Sequence, residues 1–217
     1  MSAQIEITKK NQSLSQRQTE ILSAADQIRN LKNGYLLVRL QTRSKSIETI
    51  RSNGYEKKAD EMVSKLEDQN KTIAMAFGTN IDFCKTLFFY SDDSDKILSK
   101  ELHQIDFMDS ELNLLPHSLD STTYFLVLDL NTLKEREANF DTYRQEPTEK
   151  GIENKPVNYA SSNLNLPAFI VKDQNLNQLT DPFPYYVRAY DLNPRPKRIF
   201  KAAIKMNTKL WKFYKKN

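Results

Sequence analysis

Phe83-Cys84-Lys85-Thr86-Leu87-Phe88-Phe89-Tyr90, running into the acidic turn Ser91-Asp92-Asp93-Ser94-Asp95, is the stretch whose reading decides the fold. Four aromatics and a leucine in so short a run cannot be left in water. Its length and its content of β-forming residues suit a strand better than a helix, and a strand of this kind needs covering on both faces. Helices on both sides of a central sheet supply that cover, so the segments before and after the run are searched for them.

Upstream, Leu14, Gln18, Ile21, Ala25, Ile28 and Lys32 step by four and three, which predicts an amphipathic helix over 12–32. Asn33-Gly34 stops it, with Gly34 expected in the left-handed conformation of a C-cap. Tyr35–Thr42 reads as a first strand, 44–53 as a short helix ending at Asn53-Gly54, and 55–77 as a longer helix with Ala59, Met62, Val63, Leu66 and Ile73 inward. Downstream, Ser94 is the expected N-cap of a helix over 95–102, and a short strand is expected near Gln104–Met108. Thr123–Leu130 is a second strongly apolar strand. Residues 131–165 are polar and read as a helix fragment near 132–139 and a long surface loop. Ala168–Lys172 and Tyr185–Tyr190 close the set of strands, and Pro194 and Pro196 introduce a final helix over 197–215. The order predicts an α/β fold: a central mixed β-sheet flanked by helices, with a helical N-terminal segment and an amphipathic C-terminal helix. Residues 1–11 are expected to be a flexible N-terminus and 12–217 a single domain.

Composition excludes more than it identifies. Glycine occurs only at 34, 54, 78 and 151, so the Gly-rich phosphate loops and the GxSxG elbow are missing. No apolar run is long enough for a membrane span. The one cysteine, Cys84, rules out an internal disulfide and fits an oxidising or a reducing compartment equally. Met1-Ser2-Ala3-Gln4 looks like the end of a removed secretory leader, which would place the protein in the periplasm or at the envelope; otherwise it is cytoplasmic.

Gly34-Tyr35-Leu36-Leu37-Val38-Arg39-Leu40, taken with Phe83-Cys84-Lys85-Thr86-Leu87-Phe88-Phe89-Tyr90-Ser91-Asp92-Asp93-Ser94, resembles a family of small, functionally uncharacterised bacterial proteins that are often made with an export signal. The resemblance covers about residues 20–100. It implies an envelope compartment and supplies no activity and no catalytic residues.

Three carboxylates form the candidate metal site. Asp92 and Asp93 follow the strand 83–90, and Asp129 lies near the end of the strand 123–130. If the two strands are parallel neighbours, these oxygens could converge on Mg²⁺ or Ca²⁺ and serve a metal-dependent hydrolase. The competing reading is a strand-to-helix turn in which Asp and Ser satisfy orphan amides. Leu128-Asp129-Leu130-Asn131-Thr132 has Asn131 where a dehalogenase-type phosphatase needs its second acid, so that match is rejected. Cys84 reads as a small buried hydrophobe, since a nucleophilic thiolate needs a basic partner and exposure. His103 and His117 fit no zinc spacing, and no cofactor is implied.

The strongest local signal is charge. Residues 195–217 hold nine basic side chains and no acid, while the whole chain carries +4, so residues 1–194 carry −5. On a helical wheel Lys201, Lys205, Lys209 and Lys212 share one side; Ile199, Met206, Leu210, Trp211 and Phe213 share the other. These four lysines are the candidate interaction residues. An acidic protein partner ranks first and an anionic membrane surface second, the latter requiring Trp211 and Phe213 exposed; nucleic acid ranks last for want of a binding fold. The leading expectation is a non-enzymatic, envelope-associated protein acting through protein contacts, with oligomeric state left open.

Overall fold

The computed structural model describes residues 2–116, 119–120, 122–133, 143–148, 151–156 and 166–217, with side chains described from residue 15 onward except in 134–165. Among them are five helices: α1 (Ser2–Asn33), α2 (Ser44–Ser52), α3 (Glu56–Asn80), α4 (Ser94–Leu98) and α5 (Pro196–Lys216). Five strands, β1 (Tyr35–Leu40), β2 (Lys85–Tyr90), β3 (Phe125–Thr132), β6 (Pro167–Lys172) and β7 (Tyr186–Arg188), form one mixed sheet in the order β2-β1-β3-β6-β7. The pair β4 (Tyr143–Thr148) and β5 (Gly151–Pro156) forms a separate antiparallel hairpin. The fold is α/β, as the order of elements predicts.

Alternation along the strands sorts the core into two faces. Leu36, Val38 and Leu40 of β1, Phe88 of β2 and Leu126, Leu128 and Leu130 of β3 pack on one face against Ala24, Ile28 and Leu31 of α1, Ile73, Ala74 and Phe77 of α3, and Ile199, Ala203, Met206 and Leu210 of α5. Leu37, Phe89, Phe125 and Val127 point to the other face, under Ile97 of α4, Leu102, Ile105 and Phe107. The β1-to-β2 connection therefore runs through α3 on one face, and the β2-to-β3 connection through α4 on the other.

Several expectations need correcting. The run 83–90 forms a strand only over Lys85–Tyr90, Phe83 and Cys84 preceding it; that strand is covered on both faces but lies at the edge of the sheet, not in its centre, with β1 between it and β3. Its free edge is closed by Met108, which exchanges two backbone hydrogen bonds with Phe88 at 2.9 and 3.0 Å. That contact is what the 104–108 segment contributes, and it blunts an otherwise sticky edge. Gly34 is not left-handed: it is required because a Cβ there would stand 2.3 Å from the carbonyl oxygen of Tyr124, which accepts from the Tyr35 amide. Gly54, in the turn between α2 and α3, has positive φ, +80°. The first helix reaches back to Ser2, and the polar region expected as a loop contains the β4–β5 hairpin. Strand pairing there was hidden because neither segment alternates polar with apolar residues. The helix fragment expected near 132–139 falls largely outside the described residues, as does His117.

Candidate functional site

Two regions carry concentrated polar chemistry: the carboxyl edge of the parallel strands and the outer side of α5. At the carboxyl edge, register alone brings Arg39 between β2 and β3, paired with Phe89 on one side and Asp129 on the other. All three lie on the face under α4. Asp129 is 0% exposed and is the centre of a dense network. Its Oδ2 accepts from Lys172 Nζ at 2.7 Å, Arg39 Nη1 at 3.2 Å and Asn131 Nδ2 at 3.2 Å, and its Oδ1 accepts from Gln41 Nε2 at 2.9 Å. A carboxylate stripped of water needs such compensation, and two cations plus two amides supply it.

From Arg39 the chain of hydrogen bonds continues into the acidic turn. Arg39 Nε donates to Ser94 Oγ at 2.9 Å, and Ser94 Oγ donates to the carbonyl of Ser91. Ser91 Oγ accepts from the Thr42 amide at 3.1 Å and sits 2.8 Å from Thr42 Oγ1. Asp92 then accepts from Thr42 Oγ1 at 2.6 Å and Ser44 Oγ at 2.8 Å, tying the exit of β2 to the start of α2. Asp93 instead pairs with Lys96 at 2.7 Å, a hydrogen bond that holds the lysine above its usual pKa. Ser94 is the first residue of α4 rather than its cap; Asp93 occupies the cap position and makes no side-chain capping bond.

The three candidate metal ligands are thus engaged separately, with β1 and its arginine interposed between the strands that were to bring them together. Among the described residues no group of three His, Cys, Asp or Glu side chains could hold a metal ion. Around Asp129 the remaining side-chain chemistry is that of cations and amides. Two adjoining hollows open there: a cleft of about 850 Å³ between α2, α3 and the ends of β1 and β2, walled by Ile47, Val63 and Leu66, and a cavity of about 140 Å³ lined by Arg39, Gln41, Arg43, Asn70 and Asn131 among others. The sequence reading missed Arg39, Arg43 and Lys172. Arg39 did carry a signal, as the one charged residue in the otherwise apolar Tyr35–Leu40.

Cys84, just before β2, packs against the main core, and burial of the thiol pushes its pKa up to about 12 despite the nearby Lys32 ammonium. It is a poor nucleophile there.

The apolar side of α5 is docked. Ile199, Ala202, Ala203, Met206 and Leu210 are buried. Trp211 stacks edge-on against Phe83 at 5.2 Å and donates Nε1 to Asp82 at 2.7 Å; with a further bond from Asn207, this keeps the Asp82 carboxyl below the usual range. Phe213 packs on Phe183 at 6.0 Å. Of the candidate interaction residues, Lys201, Lys205 and Lys212 are exposed. Lys209 is half-buried: its Nζ donates to the Tyr186 carbonyl at 2.8 Å, lies 4.9 Å from the centre of that ring, and has its pKa lowered by burial. Among the described residues no helix is long and apolar enough to cross a membrane.

Comparison of the chain with protein-family models, with curated proteins and with solved structures finds no match.

Proposed function

We propose that this is a non-enzymatic α/β protein that works by protein contact, presenting the basic outer side of α5 to an acidic partner; the envelope is the compartment that the family resemblance implies. The observation that carries the reading is the rigid docking of α5 by its apolar side, which leaves Lys201, Lys205 and Lys212 exposed on a fixed frame. None of the three makes an ion pair among the described residues. From Lys201 to Lys212 the helix rises about 16 Å at ~1.5 Å per residue, a span that an acidic helix or extended segment can follow. Membrane insertion has less support, because Trp211 and Phe213 are spent on core packing. The hydrolase reading has lost the convergence of carboxylates on which it rested.

The test is fluorescence anisotropy of a labelled oligoglutamate with the full chain, alongside anionic vesicles and a DNA duplex. Binding of the peptide that falls steeply with salt and vanishes in Lys201→Glu/Lys205→Glu/Lys212→Glu supports the proposal. Binding unaffected by the triple change, or binding only to vesicles or only to DNA, rejects it.

A further inference from the structure

We propose that the carboxyl edge between β1 and β3 binds a small oxyanion, the carboxylate or phosphate group of a ligand, through Arg39 and Arg43. Topology selects the place. The crossover from β1 to β2 passes over one face of the sheet and that from β2 to β3 over the other, with β1 in the middle. Chains leaving the neighbouring strands β1 and β2 therefore diverge at their carboxyl ends, and in open α/β sheets such a crevice is where ligands bind; the cavity lined by Arg39 and Arg43 adjoins it.

The side chains give the sign. The cavity of about 140 Å³ has Arg39, Gln41, Arg43, Gln69, Asn70 and Asn131 in its lining and no acid. Asp129 offsets only one of the two charges of Arg39 and Lys172, whose side chains are 21% and 15% exposed, so the network retains an excess of one positive charge. Arg39 uses Nε on Ser94 and Nη1 on Asp129, which leaves Nη2 with no protein acceptor among the described residues. Arg43, exposed at the mouth, brings a second positive charge, and its guanidinium makes no hydrogen bond or ion pair among the described residues, although the hollow on its other side also holds Glu61 and Asp191. A planar fork of this kind suits carboxylate and phosphate oxygens.

The frame beneath is fixed. Asn70, 5% exposed, donates Nδ2 to the Gln41 carbonyl at 2.8 Å, and Gln41 Nε2 is held by Asp129. Arg43 has φ +51°, a left-handed conformation unusual for a side chain of this size, and its carbonyl accepts from the amides of Ser46 and Ile47 at 2.9 and 3.1 Å. The cavity is smaller than the roughly 300–1,000 Å³ of pockets for whole drug-sized ligands, so it suits a single anionic group. Gln41 and Asn70 also line the 850 Å³ cleft, whose walls of Ile47, Val63, Leu66 and Leu112 give an apolar body somewhere to lie.

Isothermal titration of the full chain with inorganic phosphate, 3-phenylpropanoate and, as a cationic control, 3-phenylpropylamine tests this. One of the two anions should bind at or below about 1 mM, the amine should bind at least about tenfold more weakly, and Arg43→Gln should weaken the anion about tenfold or more. Which anion binds separates a free phosphate from an apolar carboxylate. Arg43 lies outside the Asp129 network, so its replacement leaves the fold intact, and a Lys201→Gln/Lys205→Gln/Lys212→Gln chain, with α5 discharged, should bind the anion as wild type does. Failure of both anions, equal binding of the amine, a smaller loss in Arg43→Gln, or an equal loss in the α5 variant overturns the proposal.

Discussion

The exits of β2 and β3 each carry carboxylates, and the two are used in opposite ways. At β3, Asp129 is wholly buried and holds two cations and two amides in place. At β2, Asp92 ties together surface hydroxyls of Thr42 and Ser44, and Asp93 meets one lysine on its own helical turn. The difference comes from position in the sheet. β3 has a strand on either side and therefore neighbours with side chains to offer, whereas β2 is at the edge and its exit faces the start of α2. A carboxylate with strands on both sides becomes a structural hub; one past an edge strand becomes a fastener between loops.

The comparison predicts a steep order of effects. Asp129→Ala should be the most damaging, because it leaves Arg39 and Lys172 charged, partly buried and without their counter-ion; a loss of about 3–5 kcal/mol is expected, read from the shift of the urea midpoint at constant slope. A loss no greater than that of the surface carboxylates would erase the distinction.

At the other end of β2 the same contrast is tested by pH. A thiol whose folded-state pKa is raised binds its proton more tightly when folded, so its contribution is complete below the ordinary value near 9.0 and is lost as pH rises toward about 12. In that window Cys84 should add a downward slope approaching about 1.4 kcal/mol per pH unit. Cys84→Ala should remove that part of the slope, and folded wild type at neutral pH should react with a thiol reagent far more slowly than the unfolded chain. Equal slopes in the two proteins would mean that the thiol is open to water.

Asp92→Ala should cost about 1 kcal/mol or less, from two hydroxyl bonds in a partly solvated setting. Asp93→Ala should shift the urea midpoint by the equivalent of no more than about 0.5 kcal/mol, since a partly exposed i,i+3 pair contributes little. Addition of Mg²⁺, Ca²⁺ or chelator should not move the thermal midpoint of the wild type; a metal-dependent rise lost in Asp92→Ala would restore the metal-site reading.

Much of the frame can be read directly from residue order. Periodicity and apolar runs locate α2, α3, α5, β1, β3 and β6 to within a few residues, because the helices each have one apolar side and the strands are apolar on both; the wheel of α5 separates docked from solvated residues except at Ile204, which lies on its apolar side yet is exposed, and at Lys209. That lysine is drawn half into the protein by the Tyr186 carbonyl, a contact made across 23 residues of sequence and invisible to a wheel. The β4–β5 hairpin is illegible for a different reason: its segments carry no alternation to reveal a strand.

The candidate site shows where local pattern stops. Residue content and order settle that glycine-rich phosphate loops and internal disulfides are absent, that the run 83–90 contains a strand covered on both faces, and that the C-terminal helix is strongly basic. These are properties of single segments, fixed by hydrophobic period and charge. Strand order is different, since it depends on which crossovers pack best on which face, a sum over contacts between distant segments. Only the tertiary structure put β1 between β2 and β3, and with it Arg39 where a second carboxylate would have stood. That single placement turns the carboxyl edge from a gathering of acids into a buried carboxylate ringed by cations and amides.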